Sequence, residues 1–178
     1  MRLKHTEKKI KQFLASPSTR KWISGPDELQ LQDMVRRRAH KAFDNPLVIT
    51  VSAISDLEPA IKREILSQDK KTTIDPENSA FELFQATLND YPMGVLCIVD
   101  LECIDADCLV FLGRLVDYIR MVKSQWKVVF SGEPELVTPA CLQRLGIAHR
   151  NGKSLKAHEQ SHGEWSESII SIFSKKVL

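Results

Sequence analysis

Two stretches decide the fold of this chain: Val95-Leu96-Cys97-Ile98-Val99-Asp100, and then Val128-Val129-Phe130-Ser131-Gly132-Glu133-Pro134-Glu135-Leu136. The first is apolar without alternation, which is typical of a strand buried on both faces of a parallel sheet. The second has the pattern of a strand that turns at a Ser-Gly pair into a helix with Pro and acids in its first turn. Both features favour an α/β fold with a parallel sheet.

From Leu47 onward, short β-branched runs alternate with runs of helical period. The predicted strands are residues 47 to 53, 71 to 74, 94 to 100, 126 to 131 and 146 to 149. The predicted helices are residues 56 to 68, 76 to 89, 106 to 124 and 134 to 145. This alternation predicts a three-layer α/β fold with a mainly parallel, five-stranded sheet.

Basic helices precede this region. Residues 4 to 15 have helical spacing and end at Ser16-Pro17-Ser18, and a second helix follows a turn at residues 22 to 26 and ends at Asp44-Asn45-Pro46. We divide the chain into a basic extension, residues 1 to 21, and one α/β domain, residues 22 to 178. The tail from residue 151 to 163 is predicted to be a loop, and residues 165 to 173 an amphipathic helix that docks on the sheet or on a partner.

The chain has 178 residues, 43% of them hydrophobic, and a net charge of +2, so strong attraction of its whole surface to nucleic acid or membrane is not expected. Local basic clusters remain, at the N-terminus and at the run Arg36, Arg37, Arg38 and Lys41. We predict that these four residues contact carboxylates or phosphates, and that at least two of the three guanidinium groups lie in solvent.

Four cysteines lie in or beside apolar segments, and no apolar signal region opens the chain. This pattern predicts a reduced, cytoplasmic protein, and no run is long enough to span a membrane. We expect no metal site, because four residues separate Cys103 from Cys108, and His158 with His162 lies in the polar tail. No catalytic triad can be identified.

Taken together, Cys97-Ile98-Val99-Asp100 and Phe130-Ser131-Gly132-Glu133-Pro134-Glu135-Leu136 resemble AAA+ ATPases of the general-secretion A type, and more distantly the TniB-type transposition helpers. The resemblance implies a P-loop NTPase-like strand order, and we expect this chain to lack the helical lid domain that the family has. It makes Asp100 the vestigial Walker B acid and the strand from Leu47 the strand that leads into the Walker A loop. Glu102, two residues after Asp100, is predicted to lie on the opposite side of the chain, which would break the hydrolytic pair.

This chain differs from that family at the position where the family has a Gly-rich loop with a lysine. Here Ser52-Ala53-Ile54-Ser55-Asp56-Leu57-Glu58-Pro59 has no glycine, no lysine and two acids. We therefore expect a plain strand-to-helix turn, no bound cofactor and no ATPase activity. Residues 99 to 107 also resemble STAS domains, with Ala106 or Asp107 in place of the phosphorylated residue.

The function expected from these features is a catalytically inactive AAA+-like interaction or assembly module. Its partners would be proteins, such as an active ATPase or a subunit of a bacterial secretion, pilus or transposition machine. The alternatives are a nucleic-acid-binding accessory, a STAS-like regulatory domain, and a non-standard nucleotide-binding enzyme that uses Asp100 for Mg²⁺.

Overall fold

The computed structural model describes residues 2–23, 27–68, 77–122, 124–148 and 156–157. In chain order the helices and strands of these residues are α1 (Arg2–Leu14), β1 (Arg20–Trp22), α2 (Glu28–Ala42), β2 (Leu47–Ser52), α3 (Leu57–Gln68), α4 (Ala80–Asp90), β3 (Gly94–Val99), α5 (Ala106–Met121), β4 (Lys127–Phe130), α6 (Pro139–Arg144), β5 (Ile147–Ala148) and β6 (Lys156–Ala157). A 3₁₀ turn, Leu101–Cys103, joins β3 to α5.

Within the described residues, β1, β4, β3 and β2 form one sheet in that order, and every neighbouring pair is parallel. The prediction of a parallel sheet is confirmed, but its five predicted strands are not. Residues 71 to 74 lie outside the described residues. The predicted strand at 146 to 149 forms β5, which pairs antiparallel with β6 in a separate two-stranded sheet.

The edge strand β1 is the element that the sequence analysis missed. Residues 20 to 22 pair with residues 128 to 130 of β4, although they were predicted to end an extension and begin a turn. Three residues, two of them basic, give too little β-propensity and alternation to identify a strand. The expectation that the strand from Leu47 is the first of the sheet is therefore wrong, and the division at residue 21 falls inside β1.

Helices cover both faces of the sheet, so the three-layer prediction is confirmed. Alternate residues of β3 point to opposite faces: Val95, Cys97 and Val99 pack with α1 and α2, and Leu96 and Ile98 pack with the layer of α3, α4 and α5. All five of these side chains are fully buried. Burial on both faces explains why this strand is apolar without alternation.

Helix α1 packs against the sheet and α2 and shares their hydrophobic core. Its Ile10, Phe13 and Leu14 are buried in the cluster that α2 and the first sheet face share. The Lys127 ammonium group, at the start of β4, donates hydrogen bonds to the backbone oxygens of Ser16 (2.6 Å) and Ser18 (2.8 Å). The segment that links α1 to β1 is thereby fixed to the amino end of the sheet.

One predicted helix begins in the wrong place. Residues 134 to 136 form a turn, and α6 starts at Pro139, where the Thr138 side chain accepts a hydrogen bond from the Cys141 amide at 3.2 Å. Pro134 and the flanking acids resemble a helix start locally, but Thr138-Pro139 supplies both an N-cap and a Pro at the first helical position. The predicted helix at residues 165 to 173 lies outside the described residues.

Candidate functional site

The candidate site lies where the carboxyl ends of the parallel strands meet. After β1 the chain passes into α2 on one face of the sheet, whereas the segments after β2 and β3 pass into helices on the other face. In open α/β sheets a crevice forms outside the carboxyl ends of the strands at the point where the chain changes face. The polar groups at this edge are therefore the candidates for binding or reaction.

Asp100 is the central group of the crevice. It follows the last residue of β3 and is 4% exposed. Its backbone has left-handed dihedral angles, φ 56° and ψ 39°, which Asp tolerates better than most residues do. The hydroxyl group of Ser52, the last residue of β2, donates a hydrogen bond to Oδ2 of Asp100. The side chain is therefore fixed between two neighbouring strand ends.

Glu102 lies beside Asp100, so the prediction that it would lie on the opposite side of the chain is wrong. That prediction does not hold even for an extended strand, in which the side chains of residues i and i+2 lie on the same face. The left-handed residue ends the strand, and the following 3₁₀ turn carries Glu102 back toward the crevice. One carboxylate oxygen each of Glu28, Asp100 and Glu102 lies within 4.8 Å of the other two.

The end of β4 holds Glu102 in this place. The amide of Glu133 donates to Oε2 of Glu102 at 3.0 Å, and the amide of Leu101 donates to the Ser131 carbonyl at 3.1 Å. Gly132 lies between these contacts with φ +156°, and a Cβ atom at this position would collide with the Glu102 carboxylate. The Ser131-Gly132 pair of the sequence pattern thus allows two strand ends to approach each other closely.

Glu28, in the first turn of α2, completes the cluster. A hydrogen bond with Asp100, desolvation, and the negative charges of Asp100, Glu102 and Asp27 raise the pKa of Glu28 to about 7. Among the described residues, no ion pair involves Glu28, Asp100 or Glu102. Near neutral pH a proton, in place of a basic side chain, relieves part of the repulsion within the cluster.

Helices α2, α3 and α5, which follow β1, β2 and β3 at this edge, are each capped by an aspartate. Asp27 accepts from the Leu29 amide of α2 at 3.0 Å, Asp56 from the Glu58 amide near the start of α3 at 3.3 Å, and Asp105 from the Cys108 amide of α5 at 2.7 Å. A free helix N-terminus attracts phosphate because its first amide groups have no internal partner. Here carboxylates already accept some of these hydrogen bonds.

Carboxylates line this edge, whereas a bound triphosphate would need amide and ammonium donors. The connection between β2 and α3 is a plain turn, as predicted. The connection between β1 and α2, which ends beside Asp100, has the sequence ISGPDE over residues 23 to 28 and has no lysine. A divalent cation fits the donors better, since Mg²⁺ prefers carboxylate oxygens.

The arginine run of α2 is mostly engaged in ion pairs. Arg36 Nη2 lies 2.5 Å from Oε2 of Glu64, and Arg38 Nη2 lies 2.7 Å from Oε1 of Glu7 in α1. These two arginine side chains are 35% and 27% exposed, so the prediction that at least two guanidinium groups lie in solvent is wrong. Arg37, 61% exposed and paired with Asp33, and Lys41, also exposed, are the members that face solvent.

Cysteine chemistry adds no second site here. All four cysteines are free, and three of them, Cys97, Cys108 and Cys141, are buried. Burial raises the pKa of Cys97 to about 12 and that of Cys141 to about 11, so both remain thiols at neutral pH. Cys103 is exposed beside the acidic cluster, where desolvation and the nearby charges of Glu102, Asp100 and Glu28 raise its pKa. His158 and His162 lie outside the described residues.

The comparisons with known proteins bear on the fold. No family model and no curated protein matches the chain. Among solved structures, Cdc6p from Pyrobaculum aerophilum is similar over 82% of this chain, with a TM-score of 0.52 and 15% sequence identity. The chain spans 44% of the length of that protein. This likeness supports a P-loop NTPase-like fold, and at this level of identity it shows the fold alone. In the part of the chain that is described, no helix has the length and apolar character needed to cross a membrane.

Proposed function

We propose that this chain is a degenerate AAA+-like domain that lacks a Walker A loop and acts as an interaction or assembly module without hydrolysing nucleotide. The observation that carries the proposal is the acidic crevice: Glu28, Asp100 and Glu102 cluster at the strand ends. Around them, an aspartate caps each of the helices α2, α3 and α5. The place where this fold would hold phosphate is thus already occupied by negative charge.

The size of the electrostatic repulsion between the crevice and a nucleotide supports this proposal. Two unit charges about 5 Å apart interact with about 3 kcal/mol at an effective dielectric constant of about 20. A triphosphate in the crevice would meet several such contacts, and none of the strand-to-helix connections at this edge contains a lysine. Each pair costs about a hundredfold in affinity, since 1.4 kcal/mol is a factor of ten.

The sequence resemblance indicates which class of protein partner this chain would have. The Asp100 strand and the Val128 to Leu136 segment resemble general-secretion A type and TniB-type ATPases. We propose that the partner is an active ATPase or another subunit of such a secretion, pilus or transposition machine. Co-purification of the full chain with the products of neighbouring genes tests this assignment.

A second candidate is a non-standard nucleotide-binding enzyme. The proximity of Glu102 to Asp100, with Glu28 beside them, favours this alternative, because three carboxylates could hold a divalent cation. If the protein is such an enzyme, a bound divalent cation would offset the negative charge of these three carboxylates before a nucleotide approached. The two candidates differ in whether Mg²⁺ restores nucleotide binding.

Calorimetric titration with ATP, in the absence and the presence of Mg²⁺, separates them. We expect no heat of binding and no phosphate release above a buffer blank, for the native chain and for Asp100→Asn alike. The matched control is Asp33→Asn, which neutralises an exposed acid of the same helix that carries Glu28. Micromolar Mg²⁺-ATP binding that is lost in Asp100→Asn and kept in Asp33→Asn would establish the enzyme candidate and overturn the inactive-module proposal.

A further inference from the structure

The exposed face of α1 is a row of lysines without acidic partners. The lysines at positions 4, 8, 9 and 11 are all exposed. Three of them, Lys4, Lys8 and Lys11, are spaced i, i+4 and i+7, so they share one stripe of the helix. The helix has a single acid, Glu7, and that acid is paired with Arg38 of α2 at 2.7 Å. None of the ion pairs among the described residues engages a lysine of α1.

This stripe is rigidly held. On the opposite side of α1, Ile10, Phe13 and Leu14 are at most 3% exposed and pack into the core with α2 and the sheet. The Glu7–Arg38 ion pair adds a second attachment to α2. The lysine stems are flexible, but the spacing of their attachment points along the helix is fixed before any ligand arrives.

We propose that this lysine stripe of α1 binds the phosphate backbone of duplex nucleic acid. From Lys4 to Lys11 the helix advances about 10 Å, because each residue rises about 1.5 Å. A duplex presents one phosphate charge per about 1.7 Å of its axis, so the stripe can meet several phosphates at once. Lysine suits this role because it binds phosphate as a point charge.

The surroundings of the stripe favour a duplex over other polyanions. A membrane surface would need a free apolar helix face to insert, and the apolar face of α1 is buried in the core. Single strands are bound on exposed aromatic rings, whereas the aromatic residue of α1, Phe13, is 3% exposed. The inference is independent of the proposed loss of nucleotide hydrolysis, since α1 lies apart from the acidic crevice along the chain and makes no contribution to it.

Fluorescence anisotropy with a labelled DNA duplex of about 20 base pairs, and with an RNA duplex of the same length, tests the proposal between about 50 and 200 mM salt. The test variant of the full chain is Lys4→Gln/Lys8→Gln/Lys11→Gln. The matched control, Arg63→Gln/Arg114→Gln/Arg120→Gln, removes the same charge from α3 and α5. Both variants are first compared with the native chain by circular dichroism and thermal unfolding.

We expect the native chain to bind at low salt, and the test variant to bind more than tenfold more weakly while the control changes less than threefold. The slope of log K against log salt should fall by about 2 to 3 in the test variant, since each phosphate contact contributes about 0.9. Lys4→Arg/Lys8→Arg/Lys11→Arg should retain binding and so show that a loss reflects charge and not altered folding. The relative affinities of the DNA and RNA duplexes identify the source of the phosphates.

Three outcomes would overturn the proposal. They are no binding of either duplex at about 50 mM salt, equal weakening by the test and control variants, and binding of polyglutamate or of single-stranded DNA as tight as that of the duplexes. The second outcome would mean that the net charge of the protein, and not the lysine stripe, determines duplex binding. The third would assign the stripe to acidic polymers in general.

Discussion

Replacing Arg36 by Ala should destabilise the domain, although the sequence places this residue in an apparently exposed basic run. Its guanidinium group donates to Oγ1 of Thr50 at 2.6 Å and to the Val48 carbonyl at 3.3 Å, and it pairs with Glu64 at 2.5 Å. Gln68 Nε2 also donates to the Val48 carbonyl (2.9 Å) and to Glu64 (3.0 Å), so those two acceptors keep a partner in the variant.

Most of the expected destabilisation comes from Thr50, which is 6% exposed and whose hydroxyl oxygen loses the Arg36 guanidinium as its hydrogen-bond donor. A buried polar group left without its partner costs about 1 to 3 kcal/mol, and a half-exposed ion pair adds about 0 to 1 kcal/mol. We expect a loss of about 2 kcal/mol, which lowers the melting temperature of a chain of this size by about 4 to 8 °C. Urea and thermal unfolding measure both quantities.

The matched control is Arg37→Ala on the same helix, where the side chain is 61% exposed and pairs with Asp33. Its loss should cost at most about 0.5 kcal/mol. If Arg36→Ala and Arg37→Ala unfold within about 0.5 kcal/mol of each other, the contacts of Arg36 with Thr50 and Glu64 do not stabilise the fold and the reasoning fails.

Two further predictions concern the acidic crevice. The pKa of Glu28 is raised in the folded state to about 7 from 4.5, so the folded chain binds this proton more tightly, and the contribution of Glu28 to stability falls as pH rises through this interval. We therefore expect the free energy of unfolding of Glu28→Gln, relative to that of the native chain, to be higher at about pH 8 than at about pH 5. Urea unfolding at both pH values measures this difference, and a difference that does not change with pH would contradict the reasoning. Gly132→Ala should lower stability by about 1 to 3 kcal/mol, because its Cβ meets the Glu102 carboxylate and its φ is +156°. Adding Glu102→Ala should recover part of that loss in a double-mutant cycle, and strictly additive losses would refute the clash.

The sequence by itself determined the central elements of the fold. The run from Val95 to Val99 predicted a strand buried on both faces, because a parallel strand between two helical layers needs no polar alternation. The ends of β2, β3 and α2 were predicted to within a few residues of their observed positions, since turn-forming and helix-breaking residues mark them locally. Asp100 could be placed at the carboxyl edge because it directly follows such a strand.

Only the tertiary structure decided the strand order and the composition of the site. Residues 20 to 22 form an edge strand because β4 offers them a parallel partner, and no local signal in three residues specifies that pairing. Glu28, 72 positions before Asp100, comes beside it because β1 and β3 end at the same edge of the sheet. Glu102 joins them through the left-handed backbone of Asp100 and the 3₁₀ turn that follows it, and the sequence pattern did not predict that turn. Likewise, Arg36 and Arg38 look free in the sequence, but their carboxylate partners, Glu64 and Glu7, come from other helices that only packing brings together.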